Sequence, residues 1–502
     1  MSPVSAFEEL YARMLDIGNL RAASAVLDWD QEVNMPPAGG PARGRQLATL
    51  NAHAHVLFTA AETGDLIGCA EAARDSLDAD QKALLDEIAY DYSRAVRIPE
   101  TFVRRFSEAR SAAYQVWLDA RSRSDFSAFL PHLNGLVVLN RERAALLGYA
   151  DTPYDALLED YERGMTTAQL KPIFELLARR QSDLAARISG SAAAIEDHVW
   201  LRQCWDTARQ WEFTERVLRD MGFDFNAGRQ DRSAHPFTTN FSIHDVRITT
   251  RLSETDFFSA LFSSIHEGGH ALYEQGYRKE DEGTLLASAP SLGLHESQSR
   301  LWENVIGRSL PFWSHYLPFL RRLYPGQLEQ VGVEEMYRAA NQVRTSLIRV
   351  EADECTYNLH IILRFELETA LIEGRLEAAD VPGAWNEKVK QYLGLEVPDD
   401  ASGCLQDIHW SHGAFGYFPT YALGNLYSAQ LFSSMRAAIP DLWDQVGQGI
   451  FAPCLGWLRE QVHRTGRRKT AVEIVREVTG AEPMPDAFLD YLESKYAALY
   501  NL

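Results

Sequence analysis

Two histidines and a glutamate in the segment SSIHEGGHALYEQG have the types and the spacing of a catalytic metal site. His266 and His270 are four residues apart, so on a helix their imidazoles project from neighbouring turns of one face and can share one Zn²⁺. Glu267 follows His266 by about 100° of helical rotation, which places its carboxylate beside the metal. Gly268 and Gly269 are unfavourable inside a helix, which suggests that a substrate or a neighbouring strand approaches the backbone closely. The pattern predicts a zinc hydrolase in which Glu267 is the base that takes a proton from water.

A catalytic zinc usually has three protein ligands and one position for water, so a third ligand must come from another segment. The polar segment LHESQSRLWEN supplies Glu296, which is far enough beyond His270 for a turn and an antiparallel helix. His295 and Glu303 remain alternatives, since His295 can also bind zinc and Glu303 lies two turns along the same side of that helix. The acidic groups could also be solvated helix charges. Gly276 occupies the position where a metzincin has its third histidine, so a glutamate ligand is favoured.

The elements that must position these residues are predicted to be mostly helical. Apolar residues at helical spacing dominate residues 1–225 and return after residue 253. The later helices are predicted near 254–275, 291–308, 334–374, 382–392, 421–437 and 470–500. Residues 27–50, rich in Pro and Gly, are predicted to form a loop. Residues 224–250, rich in β-branched and aromatic side chains, are predicted to form a small sheet of two or three strands.

The whole chain is expected to form one mainly α metallopeptidase domain with a small β-sheet near the active site. No linker or repeat interrupts residues 1–502, in which 1–225 form an N-terminal helical part and 226–502 the metal-binding catalytic part. The formal net charge of -21 repels phosphate backbones and anionic lipids, which argues against nucleic acid and membrane partners. The sequence has neither a secretory leader pattern nor an apolar run that could span a bilayer, so a cytoplasmic location is expected.

Several blocks of the sequence resemble the carboxypeptidase Taq family of metallocarboxypeptidases. They are LDWDQEVNMP, HPFTTNF, HEGGHALYEQG, HESQSRLWEN, IRVEADECTYN and GCLQDIHWSHGAFGYFPTYALGN, and they extend from residue 27 to residue 425. The resemblance implies a mostly helical homodimer that removes single residues from the C-termini of peptides with broad specificity. It also implies that His266, His270 and Glu296 bind Zn²⁺, for which Co²⁺ can substitute, and that Glu267 is the base.

Removal of C-terminal residues requires a cation that pairs with the free carboxylate of the substrate. The planar guanidinium group of an arginine does this with two parallel hydrogen bonds. Arg349, in the family-like block IRVEAD, is the leading candidate. The segment around it, TSLIRVEADECTYNLHIILRFELE, is predicted to be helical, so the alternative is a surface ion pair between Arg349 and Asp353 one turn later.

The block QDIHWSHGAFGYFPTY concentrates hydrogen-bond donors among small and aromatic residues. It contains His409, His412, Tyr417 and Tyr421, and such groups suit a developing oxyanion or a carboxylate. His409 and Tyr421 are the preferred pair for substrate binding, with Tyr417 and, from the block HPF, His235 as further candidates. For each of them, ordinary aromatic packing with a hydrogen-bonded histidine is an equal alternative.

Two other functions fit part of this pattern. An oligopeptidase that cleaves internal bonds of short peptides would use the same zinc chemistry but would lack a site for the carboxylate of the substrate. A catalytically silent helical scaffold, with a structural zinc or none, would not hydrolyse peptides at all. Cleavage of peptides with free and blocked C-termini, together with the zinc content, separates the three.

Overall fold

A computed structural model describes residues 3–191 and 198–502. In these ranges the fold is mainly α-helical with one small sheet, as the sequence predicts. Residues 1–2 and 192–197, which belong to the predicted N-terminal helical part, lie outside them. Among the helices of the described ranges, none combines the length and the hydrophobicity that a bilayer span requires.

The chain before the sheet folds into α-helices. They are α1 (Pro3–Val33), α2 (Gly40–Thr59), α3 (Ala61–Ala72), α4 (Ala79–Ala95), α5 (Glu100–Arg123), α6 (Phe126–Leu147), α7 (Pro153–Leu158), α8 (Thr167–Ser189) and α9 (Thr207–Met221). Reciprocal capping boxes of Asp78 with Gln81 and of Thr166 with Gln169 fix where α4 and α8 begin. This arrangement agrees with the helical periodicity of the first part of the sequence.

The prediction of a loop over residues 27–50 is wrong for most of its length. Helices α1 and α2 extend into this range from both sides, and only residues 34–39 separate them. Pro36 and Pro37 lie in this short connection, whereas Pro41 lies in the first turn of α2, where no backbone N–H has to be donated. Proline content therefore overestimates the length of the loop.

The sheet predicted between residues 224 and 250 is present and has three strands. They are β1 (Gly228–Arg232), β2 (Thr238–Ser242) and β3 (Asp245–Thr250). Strand β3 is central, with β1 parallel on one side and β2 antiparallel on the other. Val246 and Ile248 of β3 are buried in a core that includes the next helix, α10 (Phe257–Glu274). Because β3 is the central strand, β2 is an edge strand, and it contacts α10.

After α10 the chain is again mostly helical, but two of the predicted segments are divided. The helices are α11 (Leu292–Arg300), which continues as a π-helical segment (Leu301–Ile306), α12 (Leu310–Leu323), α13 (Pro325–Leu328), α14 (Val333–Ala340), α15 (Tyr357–Glu373), α16 (Val381–Leu393), α17 (Pro419–Ala438), α18 (Leu442–Gly447), α19 (Ala452–Gln461), α20 (Ala471–Thr479) and α21 (Asp486–Tyr500). The predicted helix over 470–500 is interrupted after α20 by Gly480, which has a positive φ of 75°.

Asp353 explains why no single helix spans residues 334–374. Its carboxylate accepts hydrogen bonds from the backbone N–H groups of Arg344, Cys355 and Thr356 at 2.9–3.0 Å. Such side-chain bonds compete with the hydrogen bonds of a helix. Arg349 consequently lies in a short 3₁₀ turn between α14 and α15, and the prediction that it lies in a helix is wrong.

Two large hydrophobic cores meet at α10 and α11. One contains Leu261 and Leu272 of α10, and the other contains Tyr273 of α10 and Leu294 of α11. Helix α10 is therefore packed on two sides, and α11 packs closely on α10, so neither helix can shift without disturbing close-packed side chains. Such rigid elements are what a catalytic arrangement of side chains requires.

Candidate metal centre

Helix α10 presents the two predicted histidine ligands on one face. Asp256 caps its start by accepting hydrogen bonds from the backbone N–H groups of Phe258 and Ser259. The ring centroids of His266 and His270 are 4.9 Å apart, so both rings can reach one ion. The helical context that the sequence predicts for these residues is confirmed.

Close packing of α11 on α10 accounts for the glycine pair in the metal-binding segment. A Cβ atom on Gly269 would lie 2.7 Å from backbone atoms of Gln298 and Ser299 in α11. Gly268 faces the side chains of α9 in the same way. The group that approaches the backbone is therefore a neighbouring helix, and not the substrate or strand that was expected. This proximity brings Glu296 of α11 within reach of the histidines.

Glu296 is the carboxylate that joins the two histidines. Its Oε2 atom lies 3.4 Å from Nε2 of His270 and 3.7 Å from Nε2 of His266. The three residues offer ligand atoms that all lie within 4.8 Å of one another. Ligand atoms around a tetrahedral zinc, with bonds of about 2.0–2.2 Å, are separated by roughly 3.4 Å. The donor set and its spacing therefore fit one tetrahedral divalent ion.

The two alternatives for the third ligand have other partners. Glu303, in the π-helical segment, accepts a 2.9 Å hydrogen bond from Nδ1 of His266, on the ring edge opposite to Nε2. His295 is bonded through Nε2 to Oε1 of Glu274 at 2.7 Å, and its ring stacks on that of His270 with centroids 4.4 Å apart. A carboxylate on the second nitrogen of a ligand histidine fixes the tautomer and the orientation of the ring. Glu303 and His295 thus surround the ligand set.

Burial and neighbouring charges hold His270 and Glu296 in the protonation states of metal ligands, whereas Glu296 and Glu303 raise the pKa of His266 above its ordinary value against the effect of burial. Burial, reinforced by His295, lowers the pKa of His270 to about 3, so its imidazole is neutral. Burial alone would raise the pKa of Glu296, but Arg300 and His266 outweigh it and hold that pKa below its ordinary value. Nε of Arg300 donates a 2.7 Å hydrogen bond to Oε1 of Glu296. Neutral imidazole and ionised carboxylate are the forms that bind divalent metals.

Glu267 is buried beside the ligands and is held by the edge strand β2. Thr238 Oγ1 donates a 2.6 Å hydrogen bond to its Oε2 atom. Burial raises the pKa of Glu267 above its ordinary value, although His266 and the bond from Thr238 act in the opposite direction. One carboxylate oxygen is thereby fixed, and the other can take part in proton transfer.

Arg349 is buried and pairs with Asp407, so the predicted alternative of a surface pair with Asp353 is wrong. Its Nε and Nη2 atoms donate to Oδ1 of Asp407 at 3.0 and 2.8 Å. Its Nη1 atom donates to the hydroxyl of Tyr357 at 2.9 Å. Its backbone N–H donates to the side-chain oxygen of Gln406 at 2.9 Å, which fixes the 3₁₀ turn. Asp353 cannot serve this role because backbone N–H groups occupy its carboxylate.

The site around Arg349, which we call the arginine site, contains a second guanidinium group. Arg364 is fully buried, and its Nε donates to Oδ2 of the same Asp407 at 2.7 Å. Its other hydrogen bonds go to neutral oxygens, the carbonyl of His360 and the amide of Gln406. Burial would raise the pKa of Asp407, but the two guanidinium groups hold it far below its ordinary value. One ionised carboxylate therefore serves two buried cations.

The histidine and the tyrosines of the block at 406–421 gather beside Arg349. The guanidinium carbon of Arg349 lies 5.0 Å from the ring centre of Tyr421. The hydroxyl of Tyr421 lies 3.4 Å from Nε2 of His409, and its ring centre lies 5.4 Å from that of Tyr417. Burial lowers the pKa of His409 to about 3, so it is a neutral imidazole. The structure thus brings together four of the five predicted substrate-binding residues, Arg349, His409, Tyr417 and Tyr421.

The remaining two histidines lie elsewhere. The ring of His412 packs against Tyr114, with centroids 5.2 Å apart. His235 is exposed in the turn before β2, where its carbonyl accepts a hydrogen bond from the hydroxyl of Ser233. Within the described ranges, no hydrogen bond or ring contact joins the His235 imidazole to the site, so its role stays a prediction.

Sequence reasoning missed several residues that complete these sites. They are Thr238, Arg300, Tyr357, Arg364 and Asp407. Arg364 could have been found, because it is the one Arg or Lys in the helical stretch NLHIILRFELE and a buried charge needs a partner. Arg300 lies one helical turn after Glu296, so it too could have been found as a partner of that carboxylate. Thr238 and Asp407 carry no such signal, since their contacts join segments that are far apart in the sequence.

Comparisons with known proteins show the family to which the chain belongs. A family model described as carboxypeptidase Taq (M32) metallopeptidase matches residues 9–496. The chain is 41% identical to thermostable carboxypeptidase 1 of Thermus thermophilus, with 100% of both chains covered, and 36% identical to carboxypeptidase 1 of Bacillus subtilis, with 99% of both covered. The crystal structure of the M32 carboxypeptidase from Deinococcus radiodurans has a TM-score of 0.97 at 40% identity, covering 99% of this chain and 100% of that chain. This chain belongs to the carboxypeptidase Taq family of metallopeptidases.

Proposed function

We propose that the protein is a metallocarboxypeptidase that releases single amino acids from the C-termini of peptides with broad specificity. The observation that carries the proposal is the combination of a three-residue ligand set with a nearby site where two buried arginines share one carboxylate. His266, His270 and Glu296 are the proposed ligands. Zn²⁺ is the proposed metal, and Co²⁺ is expected to substitute for it, because both suit imidazole and carboxylate ligands.

The residues around the ligand set are proposed to move the proton of the reaction. When bound, the metal supplies a Lewis acid for the scissile carbonyl and for water. Glu267 takes the proton of the attacking water and returns it to the leaving amine. Thr238 keeps the carboxylate of Glu267 in place through the hydrogen bond to Oε2. No covalent intermediate with the protein is required.

Arg349 is the proposed partner of the carboxylate of the substrate. Its guanidinium group has more N–H donors than Asp407 and Tyr357 accept, so a carboxylate can be bound as well. An additional anion would also balance the second positive charge of the arginine site, and buried unbalanced charge is costly. We propose that three polar aromatic side chains beside Arg349 contact the substrate, because they lie close to one another and to its guanidinium group. They are His409, Tyr417 and Tyr421. His235 remains a weaker candidate.

Amidation of the substrate tests the proposal. A peptide with a free C-terminus and its C-terminal amide are compared at equal concentration, with products identified by mass spectrometry. The amide is expected to lose about 100-fold or more in kcat/KM, because the arginine site loses its charged partner. Cleavage of both peptides at internal bonds with similar rates would support the oligopeptidase instead. A metal-loaded protein that hydrolyses neither peptide would support the silent scaffold.

Three further properties are proposed from the sequence and from the resemblance. The protein is proposed to be a cytoplasmic homodimer without nucleic acid partners. Residues 1–502 are proposed to act as one domain, with 1–225 as its N-terminal helical part and 226–502 as its catalytic part. Sedimentation equilibrium tests the dimer. A single cooperative unfolding transition in calorimetry supports one domain, whereas two separate transitions contradict it.

A further inference from the structure

Tyr357, the first residue of α15, lies between the metal centre and the arginine site. Its side chain is buried, at 6% exposure. The guanidinium carbon of Arg300 lies 4.6 Å from the centre of its ring, and Arg300 is the residue that donates to Glu296. At the other end of the ring, the hydroxyl accepts the hydrogen bond from Nη1 of Arg349. One aromatic side chain therefore contacts one arginine from each site.

The position of Arg349 depends on side-chain contacts, because its backbone lies in a 3₁₀ turn and not in a helix. Asp407 holds the guanidinium group along its Nε edge, and Tyr357 holds it at Nη1. Without the hydroxyl of Tyr357, Asp407 alone would hold the guanidinium group of Arg349 along one edge, and the group could tilt. The ring of Tyr357 is itself fixed, by Arg300 on its face and by Tyr421, which meets it at 85° with centroids 6.2 Å apart.

The hydroxyl of Tyr357 also has a proton of its own to donate. It accepts from Arg349, and within the described ranges no acceptor receives its O–H. Buried hydroxyl groups normally donate as well as accept. An anion held by the remaining N–H donors of Arg349 is the acceptor that suits this position.

We infer that Tyr357 is the spacer that sets the distance between the carboxylate-binding arginine and the metal ligands, and that it binds the same substrate carboxylate. The inference rests on the proposed carboxypeptidase function. An exopeptidase has to hold the free carboxylate and the scissile carbonyl one residue apart, so this distance decides which bond is cleaved. The series Glu296, Arg300, Tyr357 and Arg349 fixes it through side-chain contacts.

Tyr357→Phe removes the hydroxyl and keeps the ring, and it is the first test. KM for peptides with a free C-terminus is expected to rise about tenfold, since a hydrogen bond to a charged group is lost, while kcat and metal content stay near the wild type. The preference for the free acid over the amide is expected to fall by the same factor. Tyr324→Phe is the matched control, because it also removes a fully buried hydroxyl, one that donates to the carbonyl of Asp206. The control is expected to leave KM and the preference unchanged.

Tyr357→Leu removes the ring as well and tests the link to the metal centre. Arg300 loses the face on which it rests, so metal affinity, measured by chelator competition without substrate, is expected to fall at least several-fold below that of Tyr357→Phe. Equal metal affinity in the two variants would contradict the spacer. So would a Tyr357→Phe variant with the KM and the acid preference of the wild type. If the wild type itself shows no preference for the free acid, the proposed function fails and this inference fails with it.

Discussion

The metal centre and the arginine site have opposite charge balances. At the metal centre, the carboxylates of Glu267, Glu296 and Glu303 outnumber the guanidinium groups of Arg300 and Arg308. At the arginine site, two guanidinium groups share one carboxylate. The first site is therefore suited to a cation and the second to an anion, because unbalanced charge is costly when it is buried. A peptide C-terminus, with a carboxylate next to a polarised carbonyl, fits this pair of sites.

The two sites also differ in the backbone that carries them. His266, His270 and Glu296 lie on the regular helices α10 and α11, which pack closely together. Arg349 and Asp407 lie outside α-helices, and they depend on side-chain hydrogen bonds for their positions. Substitutions of the metal ligands and of Glu267 are therefore expected to abolish activity, whereas those at the arginine site should have graded effects.

The largest effect is expected from two adjacent residues of the metal centre. Glu267→Gln should lower kcat by about 10²–10⁴-fold and keep the metal, because the base is lost and the ligands are not. His266→Ala should lose both activity and metal, because one of three ligands is gone. Turnover and metal content by atomic absorption are measured on the same samples, with the exposed Glu280→Gln as a control. Substantial turnover by Glu267→Gln would exclude the assigned base.

A smaller effect is expected at the arginine site. Arg349→Gln should lower kcat/KM about 100-fold for free-acid peptides and hardly at all for amides, because only the former lose an ionic partner. Arg349→Lys should recover part of this loss, since it restores the charge without the planar fork. Metal content should stay unchanged in both variants. If free acid and amide lose activity equally, Arg349 does not bind the carboxylate.

The sequence predicts the metal centre far better than the arginine site. The spacing of His266 and His270 already implies one helical face. Glu296 lies in the next α-helix, and residues 275–291 connect that helix to α10. Three residues of the metal centre are therefore placed by local patterns.

The arginine site could not be predicted in the same way. Residues 334–374 have helical periodicity, but the carboxylate of Asp353 binds backbone N–H groups and prevents a continuous helix. The pairing of Arg349 with Asp407 joins segments that no local pattern relates. The predicted length of the loop over 27–50 is too great because a proline ends a helix only at some positions. Pro41 lies in the first turn of α2, where proline is tolerated.

The surroundings of the ligands should give an intermediate effect. Glu303→Gln keeps the shape of the side chain but weakens the bond to Nδ1 of His266, so metal affinity is expected to fall about tenfold or more. His270 has no corresponding carboxylate, because its Nδ1 atom is buried without a hydrogen-bond partner among the described residues. Chelator competition gives the affinity, and the exposed Glu377→Gln serves as a control. Unchanged affinity would show that packing alone orients His266.

The smallest effect depends on pH and concerns Glu368 of α15, whose hydrogen bonds hold the segment that contains Trp410 and Gly416. Glu368 is fully buried and accepts hydrogen bonds from Tyr154, Trp410 and the backbone of Gly416 at 2.7–3.0 Å. Burial raises its pKa to about 7 despite these bonds. Between the pKa of an unfolded glutamate, about 4.3, and this value, the folded state binds more protons than the unfolded state.

Stability should therefore decline as the pH rises through this window, because ionisation of the buried group favours unfolding. Glu368→Gln cannot ionise, so its thermal midpoint should decline less than that of the wild type, by a few degrees over the same range. Differential scanning calorimetry at several pH values from 4.5 to 7 measures the difference. Glu377→Gln, on the surface, should keep the wild-type slope. If the thermal midpoints of Glu368→Gln and the wild type change with pH in parallel, the carboxylate of Glu368 is ionised over this whole pH range. The hydrogen bonds that it accepts would then outweigh the effect of burial on its pKa.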